Sequence, residues 1–338
     1  MRGAKLRKKI AYISILLILV LIPVFDKNPH HLGIFVFVLL DVLLATSLWI
    51  ILQTGQVTLG HGAFAAIGGY VSAALVTSFG LNFWLSLPTA LAVAGIIAIG
   101  TGYLTLRIKG MYFMMVTLAL VEILRIIFGM LDYPFGGLTG IVSIPPPDRF
   151  RIGGIVIDFA SRSSFYYLSL VLVIFGIVVT YRLDVSPLGR VFRGISQADN
   201  LAEHIGIDIM QYKVLAFVIG SIFAALAGTL YAFNTGCILP SSFTLIQSTY
   251  YLIFVTVGGH GSIAGPILGA TVFSILSEVL RPIKEFEPIV YSCLLIIVML
   301  FFRTGLLGIW QTLLQRTESF IRSLRVQVST RNGTTPHP

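Results

Sequence analysis

Four ionisable side chains stand inside or at the edge of long apolar runs: Asp41 in IFVFVLLDVLLATSLWI, Glu122 and Arg125 in MYFMMVTLALVEILRIIFGML, and Glu278 in ILSEVL. A charge near the centre of a bilayer costs about 2.5–3.5 kcal/mol on insertion scales, so such groups face a cavity or one another. Carboxylates and a guanidinium along a wet passage suit a zwitterionic solute. Glu122 and Arg125 are three apart, hence on one helix face and close enough to pair. That pair equally suits a purely structural tie between helices. Asp41 has no basic residue near it in sequence. Gln53 and Gln56 follow the same run and complete a candidate substrate pathway of Asp41, Gln53, Gln56, Glu122 and Arg125. Glu278 lies near the end of its run, where it is expected simply to reach water.

Other residue types point away from catalysis. His61 and His260 each sit in Gly-His-Gly, and a metal site would need more ligands. The segments Gly60-His61-Gly62 and Gly258-Gly259-His260-Gly261, with Pro266, read as helix breaks. Glycine-rich backbone at membrane depth is tolerated where it packs in protein or lines a wet cavity. Gly261, Gly265 and Gly269 recur every four residues, a spacing that gives a smooth face for another helix. The glycines at 258–261 are not a phosphate loop, because no Lys-Ser/Thr follows them. The chain is therefore expected to hold no ATP, cofactor or metal and to be no enzyme. Cys237 and Cys293 are too few for a disulfide framework.

A second constellation is mechanical. SPLGRVFRGISQADNLAEHIGI spans 186–207. Ser186 is placed to cap a helix whose first residue, Pro187, lacks an amide hydrogen that would go unpaired there. Leu188, Val191, Phe192 and Ile195 recur at i, i+3, i+4, i+7 and make one apolar face, flanked by Arg190 and Arg193. A second short helix, roughly 198–205 and carrying Glu203, should end at a left-handed Gly206. An exposed apolar helix face calls for a cover, either the membrane surface or a groove on a partner protein.

These residues must be held by membrane helices. The 338-residue chain is 56% hydrophobic and only 11% charged, against about 25% charged in soluble domains. Apolar runs of about 20 residues read as spans. Ten are placed, at about 11–25, 32–52, 63–79, 83–106, 111–131, 165–181, 214–233, 246–259, 266–280 and 288–302. The first resembles a secretory signal, but no small-x-small cleavage site follows IPVFDKN, so it reads as an uncleaved span.

With the N-terminus inside, Arg2, Lys5, Arg7, Lys8, Lys9, Arg107, Lys109, Arg182, Arg190, Arg193, Lys213, Arg303, Arg316, Arg322, Arg325 and Arg331 are cytoplasmic, 16 of the 23 basic residues. Lys27, Arg149, Arg151, Arg162, Arg281 and Lys284 lie outside. The bias favours ten spans with both ends inside. The net charge of +9 then reads as topology and lipid headgroups, not nucleic acid, because it is dispersed over separate loops. The organisation expected is a basic N-terminus (1–10), a permease domain (11–303) with an outer loop at 132–164 and a coupling loop at 182–213, and a basic tail (304–338) with a disordered end. Within the outer loop, RIGGIVIDF alternates and suggests a hairpin around Gly153-Gly154.

These motifs, in this order, resemble the M-type permease subunits of ABC importers for branched-chain amino acids. The resemblance rests on VTLGHGAF (57–64), GMYFMMVTLALVEI (110–123), SPLGR (186–190), AEHIGI (202–207), KVLAFVIGSIFAALAGTLYA (213–232), PSSFTLIQS (240–248) and VGGHGSIAGPILGA (257–270). It covers roughly 30–310 and implies an all-α permease of about ten helices in a prokaryotic cytoplasmic membrane. It further implies a related second permease, two ATP-binding subunits that hold ATP and Mg, and an external binding protein. The 186–207 segment would be the coupling segment that docks on the ATPase. Ser196 and Gln197 depart from a more charged pair usual in the family, and Asp199 stands where Glu is common. Urea, short amides or other amino acids are alternative substrates within the family. An ion-coupled secondary transporter acting alone is the rival from another class.

Overall fold

The computed structural model describes residues 17–308 apart from 27, 109, 153, 154, 205, 282–285, 302–304 and 307, together with residue 14. The basic N-terminus at 1–10 and nearly all of the tail after 304 lie outside the described residues. Helices dominate: α1 (Pro29–Leu52), α2 (His61–Thr77), α3 (Phe83–Thr105), α4 (Met111–Met130), α5 (Arg162–Val185), α6 (Pro187–Gln197), α7 (Asp199–His204), α8 (Ile209–Thr235), α9 (Leu245–Gly258), α10 (Ala264–Leu280) and α11 (Glu287–Phe301). Each apolar run expected between 32 and 302 lies on one of these helices, and residues 17–25 of the first run are helical too. Among the described residues α1, α3, α4, α5 and α8 are long and apolar enough to cross a membrane, while α2 and α10, at 17 residues each, are shorter apolar helices.

The helix ends follow local chemistry. Asn28 accepts the His30 amide at 3.1 Å ahead of Pro29, and Asp208 accepts the Gln211 amide at 3.1 Å. These side chains satisfy donors that the first turn leaves without partners. Helix α8 ends at Gly236 with φ +71°. Inside residues 17–25, Pro23 cannot donate to the Leu19 carbonyl four residues back. The Tyr166 hydroxyl, from α5, donates to that carbonyl at 2.9 Å, and Tyr167 donates to Val20 O at 3.1 Å.

Helices α1 and α8 form the centre and are the most buried of the long helices. Close approach of α2 to α8 depends on two glycines. A Cβ on Gly68 would collide with the Ala225 backbone, and one on Gly228 with the Ala65 backbone. The contact is tied by Thr229 Oγ1, which donates to Gly68 O at 3.0 Å. Helix α4 is mostly exposed: Met111, Tyr112, Met115, Ile123, Ile126, Ile127 and Met130 are all open.

The loop between α4 and α5 caps one end of the bundle, here the loop end. Its strand β1 (Ile141–Val142) pairs antiparallel with β4 (Cys237–Ile238). Strands β2 (Phe150–Ile152) and β3 (Ile155–Ile157) pair antiparallel as expected, with Ile152 opposite Ile155; Gly153 and Gly154 lie outside the described residues. Asp148 accepts the Phe83 amide at 2.8 Å and so caps α3 from 65 residues away. In the same loop Asp158 accepts from the Ala160 amide at 2.9 Å and from Arg149 Nε at 3.0 Å. The backbone hydrogen bond first, then Arg149, hold its carboxyl below the usual carboxylate range.

Candidate functional site

A hollow of about 290 Å³ opens among α1, α2, α8, α9, α10 and the segment before α9. Asp41 lies on its wall. At 1.5 Å per residue it is roughly 18 Å along α1 from Pro29, about mid-depth of a ~30 Å hydrocarbon layer. Ser274 Oγ of α10 donates to Asp41 Oδ2 at 2.7 Å. The other polar lining groups include Tyr231, Ser242, Gln247, Tyr251, Ser277 and Glu278. Ile34, Phe37, Val38, Leu40, Leu44 and Phe243 supply apolar wall. Glu278 was expected merely to reach water; it lines this hollow and pairs with Arg281 at 3.1 Å. Sequence reading missed Gln247, Ser274 and Tyr251, because isolated hydroxyls and amides in apolar runs give no pattern until helices are packed.

The five candidate pathway residues do not converge. Gln53 lies at the far end of α1, where its Nε2 donates to Asp184 Oδ1 at 3.4 Å. Gln56 is buried in the loop that follows. Glu122 and Arg125 do pair, with Nε to Oε2 at 2.7 Å. Their side chains are 36% and 41% exposed on the open face of α4, apart from the Asp41 hollow.

The α6–α7 pair forms as the sequence pattern predicts, with a revised outer surface. Ser186 Oγ accepts the Gly189 amide at 3.4 Å, and Pro187 takes the first helical position. Helix α7 runs Asp199–His204, against an expected start at 198; residue 205 lies outside the described residues. It closes with a paired C-cap: Gly206 N–H to Glu203 O at 2.9 Å and Ile207 N–H to Ala202 O at 3.1 Å, with Gly206 at φ +83°. The apolar face of α6 is covered largely by the chain itself. Phe192 and Ile195 are 2% and 1% exposed, while Leu188 and Val191 are half-buried. Buried Phe192 lines a small cleft together with Trp49, Ile50, Thr180 and Leu183 of α1 and α5. The outward groups are Pro187, Arg190, Gly194 and Gln197 on α6, and Leu201, Glu203 and His204 on α7. Leu201 is a 70% exposed apolar side chain.

Polar ties hold this pair to the bundle. Arg193 was expected to flank a docking face; it turns back to pair with Asp184, which also receives Gln53. Lys213 at the base of α8, 4% exposed, pairs with Asp199 at 2.9 Å. Breaking such a buried pair by removing one partner costs about 3–5 kcal/mol, so α7 and α8 are firmly joined. Gly55 packs against Ser196, with its Cβ position 3.2 Å from Ser196 Cα. A hollow of about 530 Å³ lies beside these groups, lined by Trp49, Gln53, Asp184, Arg193 and His260 among others.

The expected helix breaks are helix ends. Gly60 is the N-cap of α2, and His61 and Gly62 are its first residues. The His61 ring, 1% exposed, has Nε2 at 2.7 Å from Ser47 Oγ, and Gly62 N–H donates to Ser248 Oγ at 3.2 Å. Gly258 ends α9 and Gly259, at φ +104°, follows it. Exposed His260 and Gly261 lie in the link to α10, where His260 O accepts from Trp49 Nε1 at 2.9 Å. Pro266 does not interrupt a helix, since it occupies the first turn of α10 where no amide hydrogen is required. Of the glycines expected to make a smooth face, Gly265 and Gly269 do meet the α9 backbone, while a Cβ on Gly261 would meet nothing within 4 Å among the described residues.

Residues 31–303 match the family model described as the branched-chain amino acid transport system / permease component. The chain belongs to this family. Among its relatives is the high-affinity branched-chain amino acid transport system permease protein LivM of Salmonella typhimurium, 31% identical over 324 residues, covering 90% of this chain and 76% of the relative. The protein of the same name from Escherichia coli is 31% identical over 328 residues, with the same coverage. A probable branched-chain amino acid transport permease protein LivH of Methanocaldococcus jannaschii is 26% identical over 251 residues, 72% of this chain and 78% of the relative. No solved structure matches the chain. Family and helices together identify a multi-pass, all-α membrane permease.

Proposed function

We propose that this chain is one of two permease subunits of an ATP-driven, binding-protein-dependent importer for branched-chain amino acids in a prokaryotic cytoplasmic membrane. It spans the membrane about ten times with both ends inside, as the Lys and Arg distribution favours. Residues 11–303 form the transport domain. The loop end faces the external binding protein, and the α6–α7 end faces the ATPases. Two partner subunits hold ATP and Mg. This chain supplies the mechanical link, not the hydrolytic site.

The observation that carries the reading is the capped α6–α7 pair and its ties. A helix that only lay on lipid would need no ion pairs to α5 and α8, yet Arg193 holds Asp184 and Lys213 holds Asp199. A push on α6 and α7 is therefore delivered to the lower ends of α1, α5 and α8 together. The surface offered to the ATPase is Pro187, Arg190, Gly194, Leu201 and Glu203, not Phe192 and Ile195, which are already covered. The open face of α4 turns to the second permease, because protein or trapped water, unlike lipid, tolerates the Glu122–Arg125 pair at mid-helix.

The test uses the assembled transporter in proteoliposomes with its binding protein. Arg190→Glu combined with Leu201→Asp should reduce ATP-dependent leucine uptake at least about tenfold by weakening ATPase docking, with the permease pair still intact on gel filtration. Unchanged uptake would sink the docking surface. Transport by the chain alone under an ion gradient, with no ATPase present, would replace the reading with that of a secondary carrier.

A further inference from the structure

We propose that the Asp41 hollow is a transit site that holds an α-amino acid by its ammonium group and apolar side chain during import. The inference rests on the importer reading above and adds a substrate site to it. Three features of the hollow combine. Its volume of about 290 Å³ is at the lower limit of ligand pockets, about 300–1,000 Å³, and suits a small solute. Its chemistry is divided: the Asp41 carboxylate lies on one wall, Ser242 before α9 and Gln247 in the first turn of α9 offer donors, and Val38, Leu44 and Phe243 form an apolar wall. Its depth places a carboxylate near the middle of the membrane, where an ionisable group is costly and by default a candidate functional group.

These parts match the parts of a branched-chain amino acid. The ammonium group would meet Asp41 in a charge-assisted hydrogen bond. The hydroxyl of Ser242 and the amide of Gln247 would receive the carboxylate. The alkyl group would lie on Val38, Leu44 and Phe243. Ser274, which donates to Asp41 Oδ2 at 2.7 Å, fixes the carboxylate's direction. A site of this kind selects for an α-ammonium beside an apolar group while holding it weakly enough to release it.

Uptake of radiolabelled leucine and valine by the complete transporter, each delivered on saturating binding protein, tests the site. Asp41→Asn should lower the uptake rate of both about tenfold or more, since it removes a charge-assisted bond, in complexes that still co-elute with their partners. Val38→Phe, which narrows the apolar wall and leaves every polar group in place, should slow leucine more than valine. Asn at 41 with wild-type uptake overturns the proposal. Should the Asp41 variant fail to assemble, Val38→Phe decides alone, because equal slowing of leucine and valine also overturns it. Absence of ATP-dependent uptake in the unmodified transporter would instead refute the importer reading on which the site depends.

Discussion

Gly-His-Gly occurs at residues 60–62 and again at 259–261, and the two copies meet opposite fates. Both follow a helix and precede another, and both are tied to α1 within three residues of each other. Yet α1 binds the first through the His61 ring, at Ser47, and the second through a backbone oxygen of His260, at Trp49. The first histidine is sealed inside the bundle, whereas the second is exposed. The tripeptide itself supplies only a turn and a helix start. What the histidine does depends on which neighbour closes over it: α9, through Ser248, covers the first copy, whereas His260 and Gly261 stay exposed among the described residues.

Substitutions can break this contrast. The largest effect is expected for His61→Ala, which leaves a void and strips Ser47 of a partner; a loss of about 2–3 kcal/mol should appear as a lowered unfolding midpoint in detergent. His260→Ala should stay within about 0.5 kcal/mol of the parent protein, since only its carbonyl is used. Equal losses at the two positions would end the distinction. Next comes Gly62→Ala, whose Cβ would fall 2.5 Å from Ser248 Oγ. Overpacking there should cost about 1–2 kcal/mol. Gly261→Ala has open space and should be neutral, or slightly stabilising through the unfolded chain. Trp49→Phe removes the donor to His260 O and should cost about 1 kcal/mol, measurable in the same unfolding assay. A loss as large as that of His61→Ala would mean that the second copy is held as firmly as the first.

Much of the fold was legible because it is written in local signals. Hydropathy placed α1 to α5 and α8 to α11 within a few residues, and Ser186, Pro187 and Gly206 announced the boundaries of α6 and α7. Covering was not legible. Periodicity identified Leu188, Val191, Phe192 and Ile195 as one face, but no local signal says whether a face is met by the chain's own helices or by another protein. Here Phe192 is already buried within the chain, so Phe192→Asp would report on folding, not docking. The candidate site shows the same limit. Asp41 was conspicuous as a lone charge, but its ties to α10 span 233 positions, and the hollow around it exists only once five helices have packed. Glu122 and Arg125 were readable as a pair because helical spacing alone brings them together.

The hydroxyl of Tyr166 reaches a carbonyl 147 positions earlier in the chain. Ribosomal synthesis makes Leu19 long before Tyr166, and Pro23 removes the donor that an ordinary helix would have supplied in the meantime. Throughout that interval the first hydrophobic segment carries a backbone acceptor that hydrocarbon cannot satisfy. It is therefore poorly suited to settle alone in lipid and well suited to wait beside water or the insertion machinery. The Leu19 carbonyl therefore gains its protein partner only after α5 has been made.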